Sequence, residues 1–97
     1  MSAIDAITER FNAGEIGTGD YAEAVYADKL DRLLAFGDLI ETSQGLTLDD
    51  AAVVLWARRD GFLVAANPAN SNTLLKLTEA GRLFIAKWLH GVEVTHA

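Results

Sequence analysis

At 97 residues, 51% hydrophobic and 23% charged, the chain has the size and composition of one small globular domain and not of a disordered segment. The lack of cysteine excludes disulfides, a thiolate nucleophile and cysteine-based zinc sites, and no apolar run reaches the roughly 18–20 residues of a membrane span. The net charge of −6 lies wholly in residues 1–46, where nine acids (Asp5, Glu9, Glu15, Asp20, Glu23, Asp28, Asp31, Asp38, Glu41) face three bases (Arg10, Lys29, Arg32), whereas residues 47–97 hold five of each.

Met1-Ser2-Ala3-Ile4-Asp5 lacks the basic start of a signal peptide, so a cytoplasmic location is expected. Ile4, Ile7 and Phe11 recur at helical spacing, and Ser2 can cap a short helix over residues 2–11. Gly14, Gly17 and Gly19 break it; lacking a preceding strand and a Lys-Ser/Thr ending, this loop reads as a connector and not a phosphate cradle. Asp20 and Glu23 form a capping-box pattern that opens the clearest helix, with Asp28 and Arg32 as a favourable i,i+4 pair. Its buried stripe is predicted as Tyr26, Leu30 and Leu33, widened by Ala22, Val25 and Leu34, with Gly37 as its end. Residues 38–44 should form a short element with Leu39 and Ile40 pointing inward, and Gly45 a turn.

Thr47 can cap a further helix, with Asp49 and Asp50 in its first turn, where the helix dipole favours anions. Residues 51–57 (AAVVLWA) follow. Cap, first-turn acids and alanines favour helix here, but a β-hairpin pairing residues 53–57 with 62–66 through Arg58-Arg59-Asp60-Gly61 fits the same periodicity. Residues 62–66 and 73–77 read as a hairpin around the turn-forming Asn67-Pro68-Ala69-Asn70-Ser71-Asn72. Thr78 caps a last helix that Gly91 stops, leaving residues 92–97 as a loose tail.

A helix followed by Arg58-Arg59-Asp60-Gly61-Phe62-Leu63, a hairpin and Leu77-Thr78-Glu79-Ala80-Gly81-Arg82 resembles the winged-helix regulators of the MarR and PadR type, over about residues 47–89. The resemblance implies a mainly α fold with a small antiparallel β-hairpin (α+β), three to four helices plus a wing; length and charge give one domain with an acidic helical part (1–46) beside the winged part (47–89). It also implies a dimeric DNA-binding regulator, for which Arg58, Arg59, Lys76, Arg82 and Lys87 are the available phosphate contacts. Aligned on Gly61, the groove-reading positions fall near Asp49, Ala52, Val53 and Trp56. None of these is a good base-edge donor, the wing tip carries no Lys or Arg, and the acidic half repels phosphate.

Residues 51–57 are apolar on every side, and a 97-residue monomer has little interior in which to hide such a helix. The first reading is therefore a non-enzymatic protein-binding or self-association face built on Ala52, Val53, Leu55 and Trp56 with Arg59 at its edge, since Trp beside Arg is common interface-anchor chemistry. Small size, acidity and the bare wing fit a phage or mobile-element accessory or inhibitor protein, anti-CRISPR proteins being one example. A DNA-binding regulator and a structural subunit of a larger assembly are the alternatives. Chemistry is poorly supplied. His90, His96 and Glu93 sit at a helix end and in the tail, Asp49 and Asp50 diverge by about 100° on a helix, and Ser43 and Ser71 have no histidine and acid nearby in sequence. No enzyme activity, cofactor, metal or membrane partner is expected.

Overall fold

The computed structural model describes residues 3–35, 37–70 and 74–90. Among these residues four helices carry a small antiparallel sheet: α1 (Ala3–Asn12), α2 (Thr18–Leu33), β1 (Leu39–Glu41), a 3₁₀ turn (Thr42–Gln44), α3 (Leu48–Arg59), β2 (Leu63–Ala65), a second 3₁₀ turn (Pro68–Asn70), β3 (Leu74–Leu77) and α4 (Glu79–Ile85), which runs on into a π-helical turn (Ala86–His90). The α+β class holds, and residues 51–57 are helical, not half of a hairpin. The predicted tail and residues 71–73 of the predicted hairpin loop lie outside the described residues.

Helix α2 is the hub, packing against α1, α3, α4 and the π-helical turn. It starts at Thr18 and not at Asp20, because extended backbone at Gly17 supplies the cap and the Gly17 carbonyl accepts the first-turn bond from Tyr21 N–H (2.9 Å). Asp20 falls inside the first turn, near the positive end of the dipole. The buried stripe also differs: Ala24, Ala27, Leu30 and Leu34 point inward, Tyr26, Val25 and Leu33 are half-buried, and Ala22 is exposed. Two alanines on the inner line let neighbouring helices approach closely. Beyond the main core, Phe11 of α1 stacks on Tyr21 (4.4 Å, 7°), and Thr8 Oγ1 lies 3.0 Å from the Tyr21 hydroxyl.

The sheet has three strands and not the expected two, in the order β1-β3-β2. Leu39 pairs with Lys76 and Ile40 with Leu75 on one side of β3, while Leu63 pairs with Leu77 and Val64 with Lys76 on the other. Side chains alternate along a strand, so Leu39 and Ile40 cannot both face inward. Ile40, Leu63, Leu75 and Leu77 enter the core, and Leu39, Lys76 and Val64 form a row on the outer face.

Two threonines place α3 and α4. Thr47 Oγ1 accepts from Asp50 N–H (3.1 Å) and opens α3. Thr78 Oγ1 accepts from Gly81 N–H (3.0 Å) and donates to the Gly61 carbonyl (2.7 Å), and Thr78 N–H donates to the Phe62 carbonyl (2.9 Å). One residue thus caps α4 and ties it to the exit of α3, where Gly61 has φ of +82°. Gly81 makes this joint possible: a Cβ there would stand 2.5 Å from Leu77 Cδ1 and 2.6 Å from the Phe62 carbonyl oxygen.

Gly81→Ala should therefore lower stability by about 1–3 kcal/mol through overpacking against fixed backbone. In urea denaturation its midpoint falls well below wild type, whereas Gly19→Ala, which meets nothing within 4 Å, shows no steric penalty. Equal midpoints for Gly81→Ala and wild type would contradict the close joint.

Candidate functional site

Helix α3 is seated on the core by one side only. Val53 (1% exposed), Val54 and Ala57 point inward and pack with Leu30, Leu63 and Leu75 in a single cluster. The opposite side is apolar as well: Leu48 is 92% exposed, Leu55 66% and Trp56 43%, with Ala51 exposed and Ala52 half-buried between them. The predicted face is therefore brought together for Ala52, Leu55, Trp56 and Arg59, but Val53 belongs to the core. Residues 51–57 are apolar on every side, so the run itself does not say which side meets the core. Leu48 was missed. Its signal was present, since Leu48, Ala52, Leu55 and Arg59 follow spacings of four, three and four.

Trp56 is held at the flank of this face. Its ring stands edge-on to Tyr26 at 6.1 Å and 81°. Tyr26 in turn packs on Phe84 (5.1 Å), and Phe84 stacks on Phe62 (4.5 Å, 19°), so the indole borders an aromatic cluster drawn from α2, α3, α4 and the start of β2. The Tyr26 hydroxyl donates to Asp60 Oδ2 (3.1 Å), and Arg59 Nε donates to Asp60 Oδ1 (3.1 Å). At the other end of α3, Lys29 of α2 pairs with Asp49 (2.8 Å). Acids thus frame the N-terminal end of the apolar stripe and arginines its C-terminal end. Asp60 was not singled out from sequence, because its link to Tyr26 spans 34 positions.

The five cations that could meet phosphate are spread over α3, β3, α4 and the π-helical turn. Arg58 and Arg59 end α3, Lys76 lies between Leu39 and Val64 on the outer sheet face, Arg82 pairs with Asp38 (2.7 Å), and Lys87 sits over the Trp88 ring (4.9 Å). Arg59 and Arg82 are each matched by a carboxylate, and Arg58 has no ion-pair partner among the described residues. The candidates for chemistry are likewise dispersed: Asp49 is occupied by Lys29, Ser43 hydrogen-bonds to Glu41, and Ser71, Glu93 and His96 lie outside the described residues. Among the described residues no group of three His, Asp or Glu side chains could hold a metal ion, and no helix is long and apolar enough to cross a membrane. An open cleft of about 380 Å³ lies between the end of α2, β3 and α4, floored by Leu34, Leu77 and Ile85 and rimmed by Asp31 and the Asp38–Arg82 pair.

Burial, with the Asp60 carboxylate as a second cause, pushes the Tyr26 phenol above the ordinary tyrosine value of about 10. A raised folded-state value favours the protonated phenol, so its contribution to stability is complete below about pH 10 and is lost as pH rises beyond it. Between about pH 10 and 12, wild type should lose stability more steeply than Tyr26→Phe, and its tyrosinate absorbance should show a delayed component that the variant lacks. Identical alkaline profiles would contradict the Tyr26–Asp60 contact.

No protein-family model, curated protein or solved structure matches the chain, and its functional reading is carried by these side chains alone.

Proposed function

We propose that the chain is a non-enzymatic protein-binding module with a winged-helix-like fold, and that the outer side of α3 is its binding face. The observation that carries this reading is Leu48, Leu55 and Trp56 exposed together on a helix whose opposite side is already buried. Leaving such a stripe in water forgoes burial worth roughly 25 cal/mol per Å² of apolar area, so a partner that covers it gains that free energy. Trp56 is oriented in advance by Tyr26, which lowers the entropy lost on binding.

The winged-helix assignment is supported by the order α2, β1, α3, β2, β3, by the pairing of β1 with β3, and by the Gly61 and Thr78 joint at the wing. Two features argue against the DNA role of such folds. In helix-turn-helix readers a first helix crosses the phosphate backbone ahead of the recognition helix, whereas α3 is preceded by a single 3₁₀ turn, Thr42–Gln44. With Val53 in the core, moreover, the outward side of α3 offers Leu48, Ala52, Leu55 and Trp56 to a groove that is read by hydrogen-bonding groups.

The full chain, immobilised, should retain a discrete protein from an extract of its host, either another protein or a free copy of the chain itself, and Leu48→Ser/Leu55→Ser should abolish that retention. Because both side chains are exposed, the double variant should unfold within about 0.5 kcal/mol of wild type. A random DNA duplex at low salt should remain unbound in fluorescence anisotropy. Capture that survives the double substitution, or DNA binding that falls steeply with salt, would contradict the proposal.

A further inference from the structure

We infer that the occupant of this face is a second copy of the chain, with the two α3 helices packed antiparallel about a two-fold axis. The inference rests on α3 being the protein-binding face and adds the partner's identity from the distribution of size and charge along it.

At 100° per residue, Leu48, Ala52, Leu55 and Arg59 fall within about 60° of one another, directly opposite Val53, Val54 and Ala57. The ends of this stripe differ in sign: Asp49 flanks it in the first turn, where Asp50 lies on the core side, and Arg59 lies on it in the last turn. A two-fold axis midway between Ala52 and Leu55 sets each small Ala52 against the second copy's large Leu55, which allows the close approach that helix packing requires. The same operation brings Asp49 to the level of the second copy's Arg59, while Arg58 lies on the opposite flank. Trp56 and Asp49 lie on the same flank of the stripe, so each indole borders the second copy's acidic end.

The parallel alternative places acids against acids and arginines against arginines, and like charges across an interface are strongly unfavourable. Antiparallel packing also opposes the two helix dipoles. Such a face is complementary to itself, as an interface between identical chains with two-fold symmetry must be. Asp49 and Arg59 already have partners in Lys29 and Asp60, but their side chains are 72% and 70% exposed, so sharing them across the interface costs little. A helix of 12 residues is about 18 Å long, which places the contact among small, reversible interfaces.

Sedimentation equilibrium of the full chain from about 10 µM to about 1 mM should show a monomer–dimer transition. Arg59→Glu alone and Asp49→Arg alone should each weaken dimerisation by roughly tenfold or more, since each creates two like-charge contacts per dimer. An equimolar mixture of the two variants should recover a dimer, because every contact in the mixed pair is again between opposite charges. A chain that stays monomeric to about 1 mM, or a mixture no tighter than either variant alone, would overturn the inference. If the chain is monomeric and Leu48→Ser/Leu55→Ser still loses a captured host protein, the second copy is refuted and the protein-binding reading stands. If it is monomeric and capture is unaffected by that double variant, both fail.

Discussion

The seating of α3 governs both halves of the structure. Val53, Val54 and Ala57 are the residues through which it joins the core shared by α2 and the sheet, and once they point inward the rest of the helix has no choice of direction. A rotation of about 100° would carry Arg58 on one side, or Asp49 and Trp56 on the other, toward the core, and one of about 180° would bury Leu48 and Leu55 in place of these side chains. The Thr78 and Gly81 joint fixes the same geometry from the far end, because it holds the chain leaving α3 against the start of α4. The outward display of Leu48 and Leu55 is therefore a consequence of the fold's main packing decision and not of a mobile surface.

The division into an acidic half and a neutral half does not survive as a division of structure. Lys29 pairs with Asp49 and Asp38 with Arg82, each joining residues 1–46 to residues 47–97. Helix α4 and its π-helical turn lie against α2, and the turn also meets α1. Both pairs are exposed and add little stability on their own. One of them, Asp38–Arg82, matches a base of the second half with a carboxylate of the first, whereas Lys29–Asp49 matches an acid of the second half with a base of the first. Acidity matters here chiefly as a field that disfavours phosphate and favours solubility.

Much of the fold was legible where the signal is local. The Thr47 and Thr78 caps, the first-turn Asp49 and Asp50, the Asp28–Arg32 pair and the turn glycines at 45 and 61 all act within a few residues and stand as expected. What failed depends on distant parts of the chain. A three-residue strand at Leu39–Glu41 exists only because β3 is there to pair with it, so one element of the sheet was unreadable. The face of α3 was ambiguous because residues 51–57 are apolar all round and carry no amphipathic signal. Nothing in that run distinguishes Val53, which is buried, from Leu55, which is exposed, and Leu48, at the first position of the helix, lies outside it. The Tyr26–Asp60 bond that braces Trp56 had no sequence signature at all.

The central claim, that the outer side of α3 is a contact surface covered by a second copy of the chain, can be tested residue by residue with methyl NMR spectra recorded as concentration rises. The account predicts that the methyl signals of Leu48, Ala52 and Leu55 move together while those of the other exposed hydrophobics, Leu39, Val64 and Leu83, stay in place. Shifts centred on Leu39, Val64 or Leu83, with α3 unaffected, would contradict it.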